Sequence, residues 1–198
     1  QSAWDHAIQN MRQWMTGQGR FFPVSAIENI FLFDTVHARS LYKTLQLGVA
    51  ASAVGLVGVF TAVLTRNRRL GLLAALLVLP GLQFRYWYDP IHSFGLLLPS
   101  LAIKIIGSWL LLVLGLRSTS RRRTAIAFTA VGLAWTAALL QYEVTYLLAV
   151  VAPVLAWHER QASLARRWTA VAVVLVPTFL LANYVATLRS AANPAPAY

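Results

Sequence analysis

Apolar residues run through the chain in six long stretches, 45–65, 70–83, 93–116, 125–140, 144–157 and 169–188, separated by short polar connections. Runs of this kind predict membrane helices, because a helix satisfies its own backbone hydrogen bonds where lipid offers none. The lengths are uneven. Residues 70–83 would span about 21 Å at 1.5 Å per residue, short of a hydrocarbon core of about 30 Å. Residues 125–157 are too long for one crossing and too short for two full ones. They predict a hairpin whose tip, Gln141-Tyr142-Glu143, lies below the outer surface. The same reasoning sinks residues 85–89 toward the bilayer. Polar backbone at that depth is tolerated only where protein buries it or a wet cavity adjoins it. Two recessed tips, each with a carboxylate, predict one outward-facing cavity.

Residues 1–44 are the least membrane-like part. Trp4, Ile8, Met11, Trp14 and Met15 fall three or four apart, on one face of a short helix. That face either lies in the membrane interface or packs on neighbouring spans. Gly17-Gln18-Gly19-Arg20 breaks the pattern, which returns over 26–41 with Ile27, Ile30, Phe31 and Val36 and carries Glu28, Asp34, His37 and Arg39. Gly48, Ser52, Gly55 and Gly58 in the first stretch are small enough to let helices approach closely. The predicted fold is all-α: a polytopic integral membrane bundle of about six transmembrane helices. Residues 1–44 form an interfacial segment, 45–190 the bundle and 191–198 an outer tail.

Charge orients this bundle. Arg66, Arg68 and Arg69, then Arg117, Arg121, Arg122 and Arg123, then Arg160, Arg166 and Arg167 occupy every second connection. These loops hold most of the 17 Lys and Arg residues but a single one of the 6 acids, Glu159. By the positive-inside rule they face the cytoplasm, so Asp89, Glu143 and both chain ends face outward. The net charge of +11 does not imply nucleic acid, because the arginines sit in short loops at membrane edges. Hydrophobic residues make up 58% of the chain and charged residues 12%, which leaves little for a soluble domain. With no cysteine, thiol catalysis and disulfides are excluded. The chain begins with Gln rather than Met, and an outward first segment needs a preceding span to export it. The sequence therefore reads as a piece of a longer protein, or one that has been processed, and as an integral membrane protein whose expected location is the bacterial inner membrane.

Lys104 lies near the middle of the stretch 93–116. A lysine there costs about 2.5–3.5 kcal/mol on insertion scales and faces the bundle interior with a partner, unless it snorkels. The histidines His6, His37, His92 and His158 are far apart and form no metal motif, which leaves a divalent-metal requirement open. No phosphate-binding glycine loop and no nucleophile elbow is present. What remains is a set of outward polar groups: Asp5, Arg20, Glu28, Asp34, Arg85, Tyr86, Asp89, Lys104 and Glu143. Carboxylates can act as general bases, arginines can hold a phosphate, and aromatic rings can stack on sugars. This inventory suits group transfer from a lipid-phosphate donor. It also suits proton-coupled transport.

The segment Gly17-Gln18-Gly19-Arg20-Phe21-Phe22-Pro23, following Asp5, resembles the first outer loop of GT-C multispanning membrane glycosyltransferases. Gln83-Phe84-Arg85-Tyr86-Trp87-Tyr88-Asp89-Pro90 resembles a later outer loop of their bacterial relatives, and Gln141-Tyr142-Glu143 a third. The resemblance is loose and spans most of the chain, with a first span expected upstream. It implies a polyprenyl-phosphate sugar donor used on the outer face, with Asp5 as the base on the acceptor. Arg20, Arg85 and Lys104 would then contact the donor phosphate, while Tyr86, Asp89 and Glu143 position donor or acceptor. A small transporter or lipid flippase with a Lys104, Asp89 and Glu143 relay is the alternative. A non-catalytic membrane subunit is the third.

Overall fold

A computed structural model describes residues 5, 8–9, 11–13, 22–36, 38–79 and 97–191. Among these residues every regular element is a helix. In chain order they are α1 (Pro23–Thr35), α2 (Arg39–Thr65), α3 (Arg68–Val78), α4 (Leu97–Arg117), α5 (Arg121–Leu139), α6 (Val144–Leu148), α7 (Val151–His158) and α8 (Leu164–Ala191).

Local chemistry sets the helix ends. Pro23 begins α1, where a missing N–H costs nothing. Helix α2 closes on Arg66 in the left-handed conformation, φ 57°. Asn67 then caps α3, its side-chain oxygen accepting from the N–H groups of Arg69 and Leu70 at 2.9 and 3.4 Å. Ser120 caps α5 in the same way through the Arg123 N–H. Pro177 lies inside α8, and the Thr178 hydroxyl beside it donates to Val174 O at 2.7 Å.

Three helical segments are long and apolar enough to cross a membrane: Ser40–Thr65, Leu97–Arg117 and Leu164–Ser190. The other three predicted crossings are shorter or more polar. Helix α3 has 11 described residues, α5 opens on three arginines, and the stretch after Glu143 is broken at 149–150 into α6 and α7. The hairpin expected over 125–157 is present, with its turn at 140–143. Large apolar side chains remain exposed along the outer faces, including Leu72 and Leu77 on α3, Leu147 and Val154 on α6 and α7, and Phe179 on α8. Long apolar helices with apolar exteriors fit an integral membrane protein in contact with lipid.

Helix α4 is central, touching α2, α5, α7 and α8. The core around it is closed by Leu112, Val113, Val131, Trp135, Ala152, Ala156, Ala170 and Val174, all at 0% exposure. Trp135 is tied across the core by its indole N–H, which donates to Thr178 Oγ1 at 2.9 Å. The hairpin of α2 and α3 closes on small residues. A Cβ added at Gly71 would stand 2.5 Å from Gly58 O and 2.6 Å from Ala62 Cβ, whereas one at Gly48 would meet nothing within 4 Å. Gly71→Ala is therefore expected to lower unfolding stability in detergent by about 1–3 kcal/mol, as overpacking does. Gly48→Ala should be neutral or slightly stabilising, since alanine is the better helix former. Equal effects at the two positions would contradict this packing.

Candidate functional site

Leu97, Ser100, Lys104 and Ser108 recur at spacings of three and four on α4, so they share one face. Two other elements are laid against that face. Helix α1 brings Glu28, and the turn between α5 and α6 brings Gln141, which is 0% exposed. Helix α1 is seated on this turn by its backbone, Val24 N–H donating to Leu140 O at 3.3 Å. The rings of Phe22 and Tyr142 stack beside it, centroids 6.0 Å apart.

The four polar side chains form a closed network. The Lys104 ammonium donates to Glu28 Oε1 and, at 2.7 Å, to Gln141 Oε1. The Gln141 amide nitrogen donates among Glu28 Oε2 at 2.9 Å, Ser100 Oγ at 2.6 Å and Leu97 O at 3.1 Å. Ser100 completes the circuit by donating to Glu28 Oε2 at 2.8 Å. One turn further along, Ser108 is buried and its hydroxyl donates to Lys104 O at 2.6 Å. Side-chain exposure is 19% for Lys104 and 29% for Glu28, so the pair is largely desolvated. Each charge is thereby compensated by the other and by neutral dipoles, the condition under which a buried ion pair persists.

The far end of α4, about 20 Å away at 1.5 Å per residue, gathers the arginine loops. The Arg117 guanidinium donates to Glu159 Oε2 at 2.9 Å and Oε1 at 2.6 Å. It also reaches the last carbonyls of α2, Val63 O at 2.6 Å and Leu64 O at 3.3 Å. Arg166 ties the third loop to the second by donating to Ser118 O at 2.6 Å. The hydrogen bond from Arg117 holds the Glu159 carboxyl below the usual carboxylate range, against the upward pull of burial, and His158 adds to the lowering. The alternation of arginine loops in sequence is thus an alternation of bundle ends in space.

No known family, curated protein or solved structure matches the chain.

Of the residues singled out from sequence, Lys104 lies at the centre of the network. Glu143, expected beside it, pairs instead with Arg189 on α8. Asp5 is helical and exposed. Arg20, Arg85, Tyr86 and Asp89 lie outside the described residues, as does His92. Among the described residues no group of three or more His, Cys, Asp or Glu is placed to hold a metal ion. The 140–143 turn brings Gln141, rather than Glu143, to Lys104. Ser100 carries no sequence motif, and its spacing of four from Lys104 is the one local signal that could have marked it. Glu28 was visible as an outward acid, but nothing local marks it as the lysine's partner.

Proposed function

We propose that the chain is the outward-facing part of an integral-membrane glycosyltransferase of GT-C type. It would use a polyprenyl-phosphate sugar on the outer face of the bacterial inner membrane. In this reading six segments cross or enter the bilayer and the arginine loops face the cytoplasm. The observation that supports it best is the fastening of Glu28, from the first outer segment, to Lys104 and Gln141 at the end of the bundle away from the arginines. A segment carrying a catalytic base must be fixed relative to the bundle, and the network fastens α1, the helix that carries Glu28.

The transfer balances simply. The acceptor hydroxyl gives its proton to the Asp5 carboxylate as its oxygen attacks the anomeric carbon, and the bond from that carbon to the phosphate oxygen breaks. Polyprenyl phosphate leaves with the bonding electrons. Arg20 and Arg85 are assigned to the donor phosphate, and Tyr86, Asp89 and Glu143 to placing the two substrates. Lys104, already engaged by Glu28 and Gln141, is assigned to holding the first outer segment.

The same network also favours a second reading, a small transporter or lipid flippase with Glu28 and Lys104 as its relay. Two measurements test the proposal. Thr119→Cys, exposed in an arginine loop, should be shielded from impermeant thiol reagents in intact cells, while Ser2→Cys should react. The reverse pattern would end the outward-facing reading. The complete gene product in proteoliposomes should release polyprenyl phosphate from a labelled polyprenyl-phosphate sugar when an acceptor is supplied. Donor translocation without sugar transfer would favour the flippase.

A further inference from the structure

The arginine-rich end contains a pocket of about 370 Å³ between the ends of α2, α4 and α7, a volume within the range of small-ligand sites. Its floor is the Arg117–Glu159 pair, whose charges are consumed in each other and in the α2 carbonyls. Its rim carries Arg66, His158 and Arg160. Among the described residues neither the Arg66 nor the Arg160 guanidinium has a hydrogen-bond or ion-pair partner. Two unpaired guanidiniums from different elements therefore border a cavity whose only carboxylate is already neutralised.

Two further observations single this place out. Arg66 is the one described non-glycine residue with positive φ, at 57°. Glycine would occupy that left-handed position without strain, so an arginine there retains a costlier backbone and supplies a charge at the pocket rim. One residue before the pocket-lining His158, Trp157 meets Trp168 edge to face at 5.2 Å, and both remain exposed. Exposed tryptophans mark the headgroup level of a bilayer.

We propose that this pocket binds a phosphate group at the arginine-rich end of the bundle, held by Arg66 and Arg160 with His158 beside it. The ligand chemistry is that of a phosphate ester, either an anionic lipid headgroup or a free phosphate. Guanidinium forks suit phosphate oxygens in two-point contacts. The site stands apart from the network around Lys104 and does not depend on the transferase reading.

The test uses the complete gene product in phosphatidylcholine nanodiscs with and without phosphatidylglycerol, and native mass spectrometry to follow retained phosphatidylglycerol. A parallel arm measures the unfolding midpoint in phosphatidylcholine alone as inorganic phosphate replaces chloride at constant ionic strength. The pocket variant is Arg66→Gly with Arg160→Gln; glycine keeps the left-handed turn, so the fold is preserved. The control is Arg122→Gln with Arg123→Gln, which removes the same charge from exposed positions in the first turn of α5. If the ligand is a lipid headgroup, the pocket variant should retain phosphatidylglycerol about tenfold less tightly and the control less than about threefold less tightly. If it is free phosphate, the midpoint should rise with phosphate in the wild type and the control but not in the pocket variant. Equal losses in the two double variants would reduce the effect to diffuse surface charge and overturn the proposal. So would the absence of any loss in the pocket variant.

Discussion

Asp5→Asn is expected to abolish sugar transfer by the complete gene product, by about 100-fold or more, within the range that general bases contribute. Asparagine keeps the shape of the carboxylate but cannot take the acceptor's proton. Asp5 is exposed, so the exchange should leave folding intact and donor binding nearly unchanged. Arg85→Ala, by contrast, should weaken donor binding by removing a phosphate contact. The measurement is single-turnover transfer from a labelled polyprenyl-phosphate sugar, with donor binding followed separately. Transfer that survives Asp5→Asn would remove Asp5 from its role.

The second large effect is on the network around Lys104. Lys104→Met should destabilise the protein by about 2–4 kcal/mol, because it strands the partly buried Glu28 carboxylate without a counter-charge. The penalty comes mainly from the orphaned charge. Adding Glu28→Gln should therefore restore about half or more of the loss, since an amide can still bond to Ser100 and Gln141. A double-mutant cycle read by denaturation in detergent micelles measures this coupling, and equal or additive losses would refute it. Activity in the same variants separates the two functional readings. If Lys104 only holds the first outer segment in place, the neutral pair should recover transfer along with stability. If Glu28 and Lys104 carry protons, the neutral pair should be stable and inactive.

These expectations rest on features of unequal visibility in the sequence. Lys104 within a long apolar run demanded a partner, and the length of residues 125–157 demanded a turn; the structure places that turn at 140–143 and joins the two through Gln141. The partner carboxylate is a different matter. Glu28 lies 76 positions from Lys104 and 113 from Gln141, while Asp89 and Glu143 were the nearer acids by sequence. Glu143 is taken up by Arg189 because the α5–α6 turn faces the end of α8 as well as α4. In the same way the lone acid of the arginine loops, Glu159, proved to be the ligand of Arg117 rather than a stray charge.

Helical class, the approximate positions of the apolar segments, the hairpin and the gathering of arginines are properties of contiguous residues. They follow from period, run length and the charge of each connection, and the sequence by itself determined them. Which helices are long and apolar enough to cross a membrane depended on where caps, the 149–150 break and the three arginines of α5 cut the apolar runs. Which acid neutralises Lys104 depended on how α1, α4 and the α5–α6 turn pack, and which two arginines stand, among the described residues, without partners beside a pocket depended on how the ends of α2, α4 and α7 meet. Those pairings link residues remote along the chain, and only the tertiary structure could decide them, because desolvation leaves each buried charge to whichever partner the packed helices bring within reach.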